Sequence, residues 1–211
     1  LPFKHEERVE ERAIYNTATC LKSAYLVADA IFLVDNQRYI RKDSSVQANL
    51  ARVNTSIVEP FYNLLCAGEE TKSRYIGSKV LDAGDIIQTL SGWTVLGYGK
   101  SKIPAFRFFL RTPNFRDKTN ESHRGMKAMS DAISALSLKC DPSNARRALY
   151  LLTTAPQEMS MGLLDQMGHS LKGIATEAII RSGDYPRGKH SLDVTLVLSD
   201  LVNVRKVAEC F

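Results

Sequence analysis

Between Ser44 and Leu65 apolar residues return every three or four positions, at Val46, Leu50, Val53, Ile57, Phe61, Leu64 and Leu65. That rhythm is the helical period, and it lays one apolar face along a single long helix. Asp43 or Ser44 can cap its start, because either side chain accepts from the unpaired amides of a first turn. Ala67-Gly68 offers a stop. At ~1.5 Å per residue the rod measures roughly 33 Å, enough to cross a whole domain. Pro60 is expected to bend it without ending it, since the apolar phase continues beyond the proline. A polar link, Glu69 to Ser78, then leads into Lys79–Leu90, where Asp82 and Asp85 stand three residues apart at the start of a second helix. Whatever else this chain does, it must pack around that rod and deliver two acids to one end of it.

Composition narrows the field. The 211 residues are 44% hydrophobic and 24% charged, an ordinary soluble balance that supports one large domain or a domain plus a piece of another. No run approaches the ~18 apolar residues of a membrane span, and Leu1-Pro2-Phe3-Lys4-His5 does not read as a signal peptide. Cys20, Cys66, Cys140 and Cys210 form no CxxC pair. Cys20 and Cys66 fall in helical apolar stripes, so they are expected to be reduced core residues of a cytoplasmic protein. The net charge of +5 is modest and is unevenly placed. Lys100, Lys102, Arg107, Arg111, Arg116, Lys118 and Arg124 face only Asp117 and Glu121, an excess equal to the whole net charge.

The remaining segments can be read in order. His5–Val27 has a helical pattern, with Val9, Ala13, Cys20, Leu21 and Ala24 on one side. Ala30–Val34 is a short continuous apolar run, the mark of a strand buried on both faces. After the long helix come a short helix from Asp82 to Leu90 and a strand over Trp93–Gly99. Lys100–Ser122, with Pro104 and Pro113, reads as a long loop. Helices are expected over Met126–Leu138 and Met161–Ile174, and strands over Arg147–Thr153 and Thr176–Arg181. Gly183–Gly188 reads as a turn-rich connection, and alternation over Leu192–Leu198 predicts a half-buried final strand. The fold class is therefore α/β, a long central helix leading into a mixed four-stranded sheet packed with helices. The first helix and strand lack a sheet to join, which points to the C-terminal part of a longer protein.

Asp82 and Asp85 admit two readings. Asp82 can cap a helix whose dipole Asp85 complements, or the two carboxylates can orient a water or a metal. His5, His123, His169 and His190 are scattered and are expected on the surface. There is no P-loop, no GxGxxG, no nucleophile elbow and no metal-ligand spacing. Asn54 lies beside the Val53/Ile57 edge, where it implies a polar partner, either a ligand or buried backbone. Phe106, Phe108, Phe109 and Phe115, interleaved with Arg107, Arg111 and Arg116, can stack on bases, dock on an acidic protein surface, or stay in solvent.

The order and spacing of several segments resemble the C-terminal part of the tubulin/FtsZ superfamily, most closely the archaeal CetZ group. They are Leu1-Pro2-Phe3 with Glu6 and Glu10, Ile31–Asn36, Asn54–Glu69, Leu81–Ile87, Gly183–Pro186 and Val197–Val204. The resemblance implies that residues 1–43 end an N-terminal GTPase domain and that 44–68 are the central helix. It makes 69–211 the C-terminal domain, with a T7-like loop at 77–86 and a basic loop at 100–123. Asp82 and Asp85 match the D-x-x-D of the loop that enters the next subunit's nucleotide pocket, and Asn54 matches a base-reading position. Val80 and Leu50 depart from the family, which has an asparagine and often an aromatic residue there.

The expected function is a cytoplasmic, self-assembling GTPase of cell shape or division, with GTP and Mg2+ as cofactors. Its catalytic residues would be Asp82 and Asp85, active only in the polymer, while these 211 residues alone would be inactive. Residues 100–124 would make a lateral or membrane-surface contact, and neither a nucleic acid nor a transmembrane segment is expected. The alternatives are a nucleic-acid-binding module using the basic aromatic loop, and a stand-alone metal-dependent hydrolase using Asp82 and Asp85.

Overall fold

The computed structural model describes residues 11–39, 45–69, 79–103, 115–156, 159–188 and 190–209. The chain is α/β. A five-stranded mixed sheet has the order β1-β2-β5-β3-β4, with β1 at Ala30–Phe32, β2 at Gly92–Lys102, β3 at Ala145–Thr154, β4 at Ile179–Pro186 and β5 at Ser191–Leu201. β2 and β3 run antiparallel to β5, whereas β1 and β4 run parallel to β2 and β3 respectively.

The sheet thus has five strands and not four, and the first strand is not an orphan. Ala30–Phe32 pairs with Gly92–Thr94. Past that point Ser137 takes over the connection. Its hydroxyl donates to Leu33 O at 2.7 Å and accepts from Leu96 N at 3.1 Å. Its backbone bonds Asp35 N and Leu96 O, both at 2.7 Å.

Helices cover both faces. On one, α4 (Phe115–Ser134) and α5 (Met161–Ile174) bury Ala128, Met129, Ala132, Leu164 and Met167 against alternate residues of β2, β3 and β5. α4 lies unusually close to β2. A Cβ on Gly97 would collide with the Ala132 carbonyl, and one on Gly99 with that of Ala128. On the other face, α2 (Val46–Glu69) and α3 (Ala83–Thr89) bury Leu64, Ala67 and Ile86 against Leu96, Leu149, Leu151 and Val197.

α2 runs unbroken through Pro60 and past Ala67-Gly68. Ser45 Oγ accepts from Ala48 N at 3.1 Å in its first turn, while Asp43 and Ser44 lie outside the described residues. Its buried stripe is Asn49, Val53, Pro60, Leu64 and Ala67, with Ile57 and Phe61 half-buried. Leu50 and Leu65, expected inside, are exposed because the stripe passes one residue to the side of each.

In α1 (Glu11–Val27) the half-buried residues are Ala13, Thr17, Ala18, Leu21 and Ala24, and Tyr25 stacks on Trp93 at 4.8 Å. Cys20 is exposed and not in the core, since one residue's step turns it about 100° round the helix from Leu21, to the edge of that stripe. Cys20, Cys66 and Cys140 are free thiols.

Three other expectations shift. β2 continues to Lys102 and α4 starts at Phe115, so both ends of the expected Lys100–Ser122 loop are regular structure, and 104–114 lie outside the described residues. Gly183–Pro186 belongs to β4 instead of a turn. β5 is buried on both faces over Ser191–Ser199, because it lies between β2 and β3 at the centre of a sheet covered by helices on both faces. Tyr98 OH donates to Asp193 Oδ2 at 2.8 Å, and Ser199 Oγ bonds Thr94 Oγ1, Ser91 N and Ser91 O at 2.8 to 2.9 Å. Burial, then the Asp193 contact, pushes the Tyr98 hydroxyl pKa far up and keeps it protonated.

Candidate functional site

The two acids sit where α3 begins. Asp82 is its N-cap, with extended backbone (φ −104°, ψ 168°), and its Oδ1 accepts Asp85 N–H at 2.7 Å. Asp85 lies in the first turn, where a negative charge meets the positive end of the helix dipole. The capping reading is therefore correct for Asp82, and it does not use up the carboxylate, because Asp82 stays exposed.

The loop that carries Asp82 is tied to the outer side of β4. Lys79 N–H donates to Asp184 Oδ1 at 2.7 Å, and Asp184 N–H donates to Lys79 O at 2.9 Å. Lys79 Nζ reaches Ser182 Oγ at 2.8 Å. Leu81 is buried over Gly183, where a Cβ would come within 2.6 Å of the Leu81 Cβ. Glycine is required there by proximity, not by backbone angle.

α3 is held from beneath by two arginines on the same face of the sheet. Arg147 of β3 donates to Gln88 O at 2.9 Å, and Arg181 of β4 donates to Gln88 Oε1 at 2.7 Å. Arg181 Nε also lies 3.4 Å from Asp85 Oδ1. The motif reading missed Arg147, Arg181 and Gln88. Gly183-Asp184 was visible as a motif, but its role as a socket for residues 79–81 was not.

Asn54 is not at a buried edge. It is exposed on α2, and the helix buries Asn49 instead. Leu64, against which α3 packs, lies ten residues further along, about 15 Å of helix. Asn54 thus lies in the first half of α2, while α3 shares its buried cluster with α2 residues from Ile57 to Ala67. His123, His169 and His190 are exposed as expected, and His5 lies outside the described residues. A cleft of about 500 Å³ opens between α5 and β4, lined by Lys79, His169, Lys172 and Glu177 among others. Its two ammonium groups are already bonded, to Ser182 Oγ and Ala178 O. Among the described residues no group of three or more His, Cys, Asp or Glu could hold a metal, and no helix is long and apolar enough to cross a membrane.

The family model for the tubulin-like CetZ C-terminal domain matches residues 43–211. The chain belongs to the CetZ family. CetZ1 of Haloferax volcanii is 25% identical over 217 residues, covering 95% of this chain and 55% of that protein. The chain therefore spans about half the length of the CetZ relatives it matches. Among solved structures, the GTPγS-bound protofilament of Haloferax volcanii CetZ2 superposes with a TM-score of 0.80 at 23% identity, over all of this chain and 57% of the other. An FtsZ of M. jannaschii superposes at 0.69 with 15% identity, over 95% and 55%. These two likenesses establish the fold as that of the C-terminal domain shared by CetZ and FtsZ.

Proposed function

We propose that this chain is the C-terminal part of a filament-forming GTPase of cell shape or division, in which Asp82 and Asp85 act on GTP held by the next subunit. The observation that carries the reading is the separation along α2. Asn54 is exposed in its first half, and the acids stand at the start of α3, which shares its buried cluster with α2 residues from Ile57 to Ala67. Residues so separated serve two nucleotides in a head-to-tail filament more readily than one. In this reading residues 1–43 complete an N-terminal GTPase domain, α2 links the domains, and Asn54 contacts the base of the molecule's own nucleotide. The acids orient the attacking water and receive its proton. Mg2+ would be held with the phosphates outside this chain, since the acid pair has no third ligand type beside it among the described residues. Residues 100–124 supply a basic lateral contact in a cytoplasmic filament.

In the full-length protein, Asp82→Ala and Asp85→Ala should each reduce GTP hydrolysis by ~10²–10⁴-fold while nucleotide binding and assembly persist. Normal turnover per polymerised subunit in both variants would overturn the reading. The 211 residues alone should show no tight GTP binding by calorimetry, because they contain no phosphate-cradling loop.

A further inference from the structure

We propose that Arg181 is the positioning residue of the acid pair, holding the Asp85 carboxylate in its working orientation; the proposal rests on the function given above. Arg181 stands opposite Leu149 in the β3–β4 register, and its side chain rises on the face that carries α3. Asp85 and Gln88 are one helical turn apart and so share a side of α3. The guanidinium spans both, with Nε 3.4 Å from Asp85 Oδ1 and NH2 2.7 Å from Gln88 Oε1. Gln88 is itself fixed from below, where Arg147 bonds its carbonyl at 2.9 Å. A planar fork anchored at one arm can aim only in a narrow range, which is how arginine differs from a swivelling ammonium.

The contact matters because α3 has only seven residues and Asp85 is partly exposed, with 38% of its side chain accessible. An aspartate on such a turn would sample several rotamers. Arg181 selects one before the neighbouring subunit arrives, and reactions lose rate steeply when a catalytic group is misplaced by even ~1 Å. Arg181 comes from a strand that is also bonded to Lys79, so the same β4 segment aims Asp85 and anchors the loop leading to Asp82.

The test uses the full-length protein, with phosphate release measured per polymerised subunit beside the critical concentration for assembly. Arg181→Gln should lower kcat roughly 10- to 100-fold, with unchanged critical concentration and nucleotide occupancy. Arg181→Lys, which keeps a cation beside Asp85 but loses the fork that also holds Gln88, should recover only a minor part of that loss. A wild-type kcat in Arg181→Gln, a loss explained by reduced polymer, or full recovery in Arg181→Lys would each overturn the proposal. Asp85→Ala separates the two ideas. If it is inactive while Arg181→Gln is normal, only the positioning role fails; if it retains full hydrolysis, the underlying reading fails.

Discussion

Asp82 Oδ1 accepts the backbone N–H of Asp85 at 2.7 Å, so the first acid of the pair holds the turn that carries the second. In the proposed reading, capping and chemistry are two uses of one side chain, and substitutions can separate them. Asp82→Asn keeps an oxygen acceptor for the cap but loses the charge. Asp82→Ala loses both.

Asp82→Ala is expected to cost about 1 kcal/mol of stability, the usual value of an N-cap, whereas Asp82→Asn should leave the melting temperature nearly unchanged. Both should depress hydrolysis in the full-length filament by ~10²–10⁴-fold. Equal melting temperatures for the Ala and Asn variants would remove the capping role.

Ser137→Ala should destabilise the fold by about 1–3 kcal/mol, since it strips partners from the buried Leu96 N–H and Leu33 carbonyl. Urea unfolding followed by circular dichroism measures this directly. An unchanged midpoint would mean that water or relaxation replaces the hydroxyl.

Gly99→Ala should cost about 1–3 kcal/mol or more, because its Cβ would enter the Ala128 carbonyl and the α4 backbone has no flexible end to yield. Gly173→Ala is the contrast. It meets nothing within 4 Å near the end of α5, and should be neutral or stabilising by up to about 1 kcal/mol. Matched denaturation curves of the two variants check the pair of signs.

Burial, reinforced by the Asp141 charge and opposed by Arg38, pushes the Cys140 thiol up to about 11. At about pH 8 the folded protein should therefore alkylate at exposed Cys20 and spare Cys140, while in denaturant both react. The sign for stability follows. The folded state favours the neutral thiol, so its contribution is intact below the ordinary thiol value of 9.0 and is lost as pH rises from there to about 11. Rapid labelling of Cys140 in the native state would contradict this.

The parts of the fold legible from sequence were those with strong local period. α5 spans Met161–Ile174 as its Leu163, Leu164, Met167 and Leu171 spacing predicts, and α3 starts where Asp82 can cap it. The start of α4 was hidden because Arg116–Glu121 is entirely polar and carries no apolar rhythm. The partner of β1 lies about sixty residues away in sequence, at Gly92–Thr94, and no local pattern announces such pairing. Gly183-Asp184 carries turn residues inside a strand because a second backbone segment packs against it. At the site, the acid pair was visible as a motif, while Arg181 and Gln88 become neighbours only through the fold.

The bonding of Lys79 to Asp184 has a further effect on how copies of this protein can meet. β4 is the outermost strand on its side of the sheet, and outer strands with open amides invite another chain to join by sheet extension. The Lys79 backbone carbonyl already takes the Asp184 amide, so an intruding strand finds that rung filled from within. In the filament proposed above, where copies would gather at high local density, such a guard is an advantage. It suppresses disordered sheet-to-sheet growth along β4, and so favours association through faces with defined register.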